Sequence, residues 1–160
     1  MLNTSRSKKS RAAVSSLDAH LGYWLRFVSN HVSHAFKVKV EQHGVTVAEW
    51  VVLRVLFDED GIKPSDVSDK IGLTRGAVSK LLARLATKDL VAVSGDTVDR
   101  RAQVVTLSAA GRRLVPKLAA LADKNDAETF GHMTKKQRAM LSSVLQGIVA
   151  RLGLRITPVE

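Results

Sequence analysis

The sequence predicts a mainly α fold with one small β-hairpin, on three observations. Two short helical stretches meet at Gly72-Leu73-Thr74, the spacing of a helix-turn-helix. Two strand candidates, Val91–Ser94 and Ala102–Leu107, follow directly and flank a turn at Gly95–Arg101. Long stretches with apolar residues at helical spacing lie on both sides. Together these make a winged helix-turn-helix lobe at residues 46–108, flanked by N- and C-terminal dimerisation helices at 17–42 and 109–152. Residues 1–16 read as a basic, flexible N-terminal tail and residues 153–160 as a C-terminal tail.

From Leu17, the apolar positions Leu21, Trp24, Leu25, Val28, Val32, Phe36 and Val40 predict one long helix, Asp18 to Gln42, stopped at His43-Gly44. Its wide apolar stripe wants partners on more than one side, which points to dimerisation as well as core packing. Thr46 caps the next helix, and Glu49 three residues later completes a capping box. That helix ends in Asp58-Glu59-Asp60-Gly61, a solvated connector. Ser65 is expected to cap a short helix that reaches Ile71 and is closed by Gly72. Thr74 caps a further helix, Arg75 to about Lys88, whose core face is Val78, Leu81, Leu82 and Leu85. After Ser108 a long helix runs through Leu114, Leu118 and Leu121, and Pro116 is too deep in it for a first-turn proline, so a kink or local break is expected. Thr134 to Gln137 is a second capping box, opening a last helix with Met140, Leu141, Val144, Leu145, Ile148 and Leu152.

Composition narrows the function classes. A net charge of +10 over 160 residues attracts nucleic acid or an anionic surface and says nothing about fold. With no cysteine, a disulfide framework, thiolate-held zinc and cysteine redox sensing are excluded. No apolar run approaches the ~18 residues of a membrane span, so a soluble protein with no membrane partner is expected. Met1–Ser16 carries Arg6, Lys8, Lys9 and Arg11, no acid and no apolar signal core. A solvated tail adding phosphate attraction is the favoured reading, beside a basic arm on DNA and an organellar transit peptide. No phosphate loop, nucleophile elbow or zinc-hydrolase motif is present, so neither enzyme activity nor a cofactor is expected. His31 and His34 share a helix face, but no carboxylate at matching spacing joins them, so no metal site is assigned.

The segment Leu73–Leu85, and above all Asp99-Arg100-Arg101 followed by Val105-Thr106-Leu107-Ser108-Ala109-Ala110-Gly111, resembles the MarR family of bacterial winged helix-turn-helix transcriptional regulators. The resemblance covers Leu17 to Leu152. It implies a triangular homodimer with interlocked terminal helices and two winged lobes, cytoplasmic and at the nucleoid when bound to DNA. It also implies a ligand pocket between the dimerisation helices and the lobe. Two positions depart from the family's pattern: Asp89 stands where glycine is usual, and Val93 where arginine is usual. Aspartate tolerates a left-handed cap better than most residues.

The residue chemistry fits a reader of double-stranded DNA. A helix entering the major groove needs small or polar residues near its N-terminus, and Thr74, Arg75, Gly76, Ala77, Ser79 and Lys80 meet that need. Arg75 suits a bidentate guanine contact, Ala77 a thymine methyl, and Ser79, Lys80 and Arg84 phosphates. Ser65 is a further phosphate candidate. On the wing, Arg101 is the choice for the minor groove, with Asp99 orienting Arg100 or Arg101. For a small phenolic or carboxylated effector the candidates are Tyr23, Trp24, Phe27, His31 and Trp50, which equally suit plain helix packing. The expectation is therefore a homodimeric, sequence-specific repressor on a pseudo-palindromic operator. The alternative is a nonspecific or architectural nucleic-acid binder without effector response.

Overall fold

The computed structural model describes residues 14–59, 61–95 and 103–159. A 3-10 turn at Leu17–Ala19 is followed by α1 (Leu21–Glu41), α2 (Val47–Asp58), α3 (Pro64–Ile71) and α4 (Arg75–Thr87). The hairpin β1 (Val91–Gly95) and β2 (Gln103–Leu107) comes next, then α5 (Ala109–Phe130) and α6 (Lys135–Leu152). Backbone contacts divide the chain into a small unit ending at His31 and a larger one beginning at Val32.

Most helix ends follow local rules. Thr46 accepts the Glu49 amide while Glu49 accepts the Thr46 amide, a complete capping box, and Thr134 with Gln137 repeats it on α6. Thr74 accepts the Ala77 amide, and Gly72 closes α3 in the left-handed region at φ 71°.

Three expectations need correction. The first helix does not run unbroken from Asp18: His20 is extended (φ −101°, ψ 127°), so a 3-10 turn precedes α1. The Trp24 indole donates to the Asp18 carbonyl at 2.9 Å and pins that turn, while apolar spacing on either side hides a one-residue break. Ser65 does not cap α3. Proline presets the dihedrals of a first helical turn, so α3 starts at Pro64 with Lys63 as its N-cap, and the Ser65 hydroxyl turns to Asp66 instead. Of the kink or break expected at Pro116, the break does not occur: α5 is continuous, with Val115 and Leu118 beside it fully buried.

The core of the larger unit lies between α2, α3, α4, the hairpin and the first half of α5. Leu53 and Leu56 of α2 share it with Val67 and Ile71 of α3, and α4 adds Val78, Leu81, Leu82 and Leu85. Each such side chain contributes roughly 1.5–3 kcal/mol on burial. The hairpin is antiparallel, with Val91 opposite Leu107 and Val93 opposite Val105. Its second strand is also held from its other edge: Gly61 donates to the Val105 carbonyl (3.1 Å) and Val105 to the Ile62 carbonyl (2.9 Å). Gly111, in the first turn of α5, lies so close to β1 that an added Cβ would stand 2.2 Å from the Leu90 carbonyl oxygen.

α4 ends in a Schellman motif, with Leu90 donating to Leu85 and Asp89 to Ala86. Asp89 takes the left-handed position at φ 55° that glycine would occupy freely. The strain of a side chain there exceeds the extra chain entropy glycine loses, so Asp89→Gly is expected to stabilise the fold by about 0.5–1 kcal/mol. The Ser108 hydroxyl donates to the Asp89 carbonyl (2.6 Å), a bond glycine keeps. A urea melt should show a higher midpoint at unchanged slope; a lower midpoint contradicts the assignment.

Candidate nucleic-acid interface

α4 presents two faces. Val78, Leu81, Leu82 and Leu85 are buried, while Thr74, Arg75, Gly76, Ser79, Lys80 and Arg84 are exposed together and Ala77 is half-buried. The helix carries three cations and no acid. Arg75 is its first residue, where the positive helix end disfavours a cation by roughly 0.3–1 kcal/mol. A residue that opposes local stability at the start of an exposed face is better explained by an anionic partner than by the fold. A Cβ on Gly76 would meet nothing within 4 Å, so no contact inside the protein demands glycine there. The small surface it leaves admits close approach of a groove wall.

The far end of α4 is anchored by a buried acid that sequence reading assigned only to a cap. Glu49 on α2 is fully buried. Its carboxylate receives the Lys88 ammonium at 2.7 Å, lies 3.4 Å from Arg84 Nε, and accepts the Thr46 amide at 2.8 Å. Lys88 also donates to the Gly44 carbonyl at 2.8 Å. Burial pushes the Glu49 carboxyl up; the Lys88 hydrogen bond, the Thr46 amide and the charges of Lys88 and Arg84 together pull it further down, so it titrates below the usual 4.5. Arg84, a predicted phosphate contact, thus has its guanidinium shared between Glu49 and solvent. No local signal announces these partners, which lie 35 and 39 residues away in sequence.

Ser65 is half-buried in the first turn of α3. The wing residues Asp99, Arg100 and Arg101 lie outside the described residues, in the sequence between β1 and β2.

The effector candidates separate. Tyr23, Trp24 and Phe27 form an aromatic cluster in the small unit, with ring centroids 4.9 to 6.4 Å apart. His31 is the last residue of that unit. Trp50 belongs to the larger unit and packs edge-on to Phe36 at 6.5 Å. The two line a cavity of about 320 Å³ with Val47, Val51, Ser33, Asn125, Asp126 and Pro158. Its chemistry is apolar with a few fixed polar groups, as small-molecule sites commonly are. Asn125 is held by Lys39, which donates to it at 3.0 Å, and itself donates to the Val32 carbonyl at 3.2 Å. Asp126, the one ionisable residue in this lining, pairs with Arg138. Phe36, Asn125, Asp126 and Pro158 were not singled out from sequence, because helical periodicity marks them only as packing or surface positions.

Comparison with known proteins agrees with this geometry. A family model described as MarR family matches residues 43–102, the stretch from the start of α2 to the wing. The HTH-type transcriptional regulator TtmR of Methylorubrum extorquens (strain PA1) is 27% identical over 142 residues, 86% of this chain and 70% of that protein. The solved structure of BpsR from Bordetella bronchiseptica, whose DNA binding is regulated by 6-hydroxynicotinic acid, superposes with a TM-score of 0.73 at 27% identity and covers 85% of this chain and 97% of its own. The S. aureus MepR–DNA complex superposes at 0.74 with 22% identity, covering 82% and 98%, and supports the fold. These relatives are regulators and DNA binders, not enzymes. Among the described residues no helix is long and apolar enough to cross a membrane.

Proposed function

We propose that this chain, similar to MarR-family regulators over residues 43–102, acts as a DNA-binding homodimeric repressor of a pseudo-palindromic operator, released by a small phenolic ligand. The observation that carries the reading is the outward face of α4: Arg75 against the helix dipole, small residues beside it, and Lys80 one turn on. In this proposal Arg75 reads a guanine edge, Gly76 and Ala77 admit the groove, and Ser79, Lys80 and Arg84 hold phosphates. Arg101 enters the minor groove, with Arg100 and Asp99 beside it, and Ser65 touches backbone. The uncovered apolar face of α6 supports the dimer. Two lobes related by a two-fold axis read half-sites about one helical turn apart.

The cavity around Phe36 and Trp50 is the proposed effector site, where Asn125 and Ser33 supply polar contacts. The Asp126 carboxylate in its wall disfavours a carboxylated ligand and leaves a neutral phenol as the better fit. Tyr23, Trp24, Phe27 and His31 are not needed for this site.

Selection of bound sequences from a random DNA pool tests the reading. A palindromic consensus is expected, bound at least a thousandfold more tightly than random DNA at one salt concentration. Arg75→Ala should then lose about 1–3 kcal/mol at one base pair, whereas Lys80→Ala should weaken all sequences and flatten the salt dependence by about one unit. The net charge of +10 favours a second reading, nonspecific binding, and a ratio near one for selected over random DNA would establish it instead.

A further inference from the structure

The segment after α6 joins three parts of the larger unit. Gly153, at φ 62°, ends α6 and turns the chain. Four residues later the Thr157 amide donates to the Ile71 carbonyl at 3.0 Å. Ile71 is the last residue of α3, and Gly72 is the turn that leads into α4. The segment's backbone lies directly on that turn: a Cβ at Gly72 would stand 2.6 Å from the Arg155 carbonyl oxygen and 2.9 Å from the Ile156 Cα. Gly72 is therefore required twice, for its left-handed backbone and for the room it leaves. One residue beyond Thr157, Pro158 forms part of the cavity wall that includes Phe36 and Trp50. Val159 borders Thr46 and Val47 at the start of α2.

This attachment is light. Leu154 and Ile156 are 56% and 68% exposed, so little apolar surface holds the segment down. One backbone hydrogen bond and close contact at Gly72 are its main ties, and losing a single such bond shifts an open-closed equilibrium only about fivefold. A modest difference in ligand affinity between two positions can move such a segment, whereas a densely packed helix would resist it.

We propose that residues 154–159 are a strap that walls the effector cavity with Pro158 and steadies the helix-turn-helix turn through Thr157 and Ile71. A ligand that takes the space of Pro158 lifts the strap and loosens the turn from which α4 is set. The proposal rests on the effector reading above for its trigger, but the clamp on the turn stands by itself. It makes the turn, rather than the core of the lobe, the place where cavity occupancy is felt.

Hydrogen exchange on the full chain tests it. Thr157→Pro removes the donor amide without touching α3 or α4, and Thr157→Ala keeps it. The Gly72 amide, bonded to the Ser68 carbonyl at 2.9 Å, is expected to exchange about fivefold faster in Thr157→Pro and at the wild-type rate in Thr157→Ala. Amides of Leu53 and Leu56 should be unchanged in both. With 2-naphthol, a neutral phenol, as cavity probe, the Gly72 rate should rise in wild type and gain nothing further in Thr157→Pro. Equal Gly72 exchange in wild type and Thr157→Pro overturns the strap, as does equal acceleration in both variants. If wild type selects no operator, the regulator reading fails while the exchange comparison still decides the strap.

Discussion

Ile148→Asp is expected to leave the chain monomeric and to remove tight binding to a two-half-site operator. α6 has no buried residue, although Met140, Val144, Ile148 and Leu152 repeat every four residues along it and are 61, 54, 46 and 63% exposed. Such a stripe lines one side of a helix, and Leu141, Leu145 and Val149 widen it. Each of these side chains is worth roughly 1.5–3 kcal/mol when fully taken from water. Only about half of each is still exposed, so each adds roughly half that amount on docking, and the full stripe from two copies can offset an association cost of about 4–15 kcal/mol. A carboxylate in the middle of that face must be stripped of water without a partner, at several kcal/mol or more. The dimer dissociation constant should rise at least a hundredfold, read by sedimentation at micromolar protein. Helical circular dichroism should be preserved, because Ile148 is no part of the monomer core. A monomer engages one half-site and loses the effective concentration of the second lobe. A variant that stays dimeric, or a monomer that still binds the full operator tightly, contradicts the proposed assembly.

Glu49→Ala should destabilise the fold by about 2–4 kcal/mol, the combined worth of a capping box and a charge-assisted hydrogen bond. The loss is held below that of a fully buried pair because Arg84 and Lys88 reach solvent and can be rehydrated when the acid is gone. Glu49→Gln keeps the shape and the cap but not the charge, and should recover part of the loss.

The two variants also differ from wild type in acid. The folded Glu49 carboxyl titrates below its unfolded value, so its contribution is present above about pH 4.5 and is lost as the pH falls through the lower, folded value. Wild type should therefore lose stability over that acid window by more than Glu49→Gln does. Parallel curves would show that Glu49 and Lys88 do not form the ion pair in solution. Because the pair fixes the last turn of α4, DNA affinity of Glu49→Gln should fall together with stability, while the base preference proposed for Arg75 stays.

Much of this was readable along the chain. The caps at Thr46, Thr74 and Thr134, the stop at Gly72, the inward face of α4 and both strands were predicted where they occur. Asp89 in a left-handed cap agrees with what the family resemblance implies, since glycine is usual at that position. The Ser65 cap failed because a neighbouring proline outweighs a serine at a helix start. The break at Pro116 failed because burial on either side outweighs one missing donor. The interruption at His20 escaped because apolar spacing is blind to a single extended residue.

The line between the two kinds of knowledge follows the range of the forces. Helix starts and stops, strand alternation and the basic outward face of α4 depend on groups within about four residues, and the chain carries them in its order. Only the folded chain places Glu49 between Arg84 and Lys88, rests Gly111 on Leu90, brings Ile62 to Val105 and lays residues 155–157 on Gly72. Most of those contacts exist because burying one shared apolar core draws together distant segments, while residues 155–157 are tied by the Thr157–Ile71 hydrogen bond and the room at Gly72. In this protein the basic outward face of α4 is written locally, and the way it is anchored is a property of the packed whole.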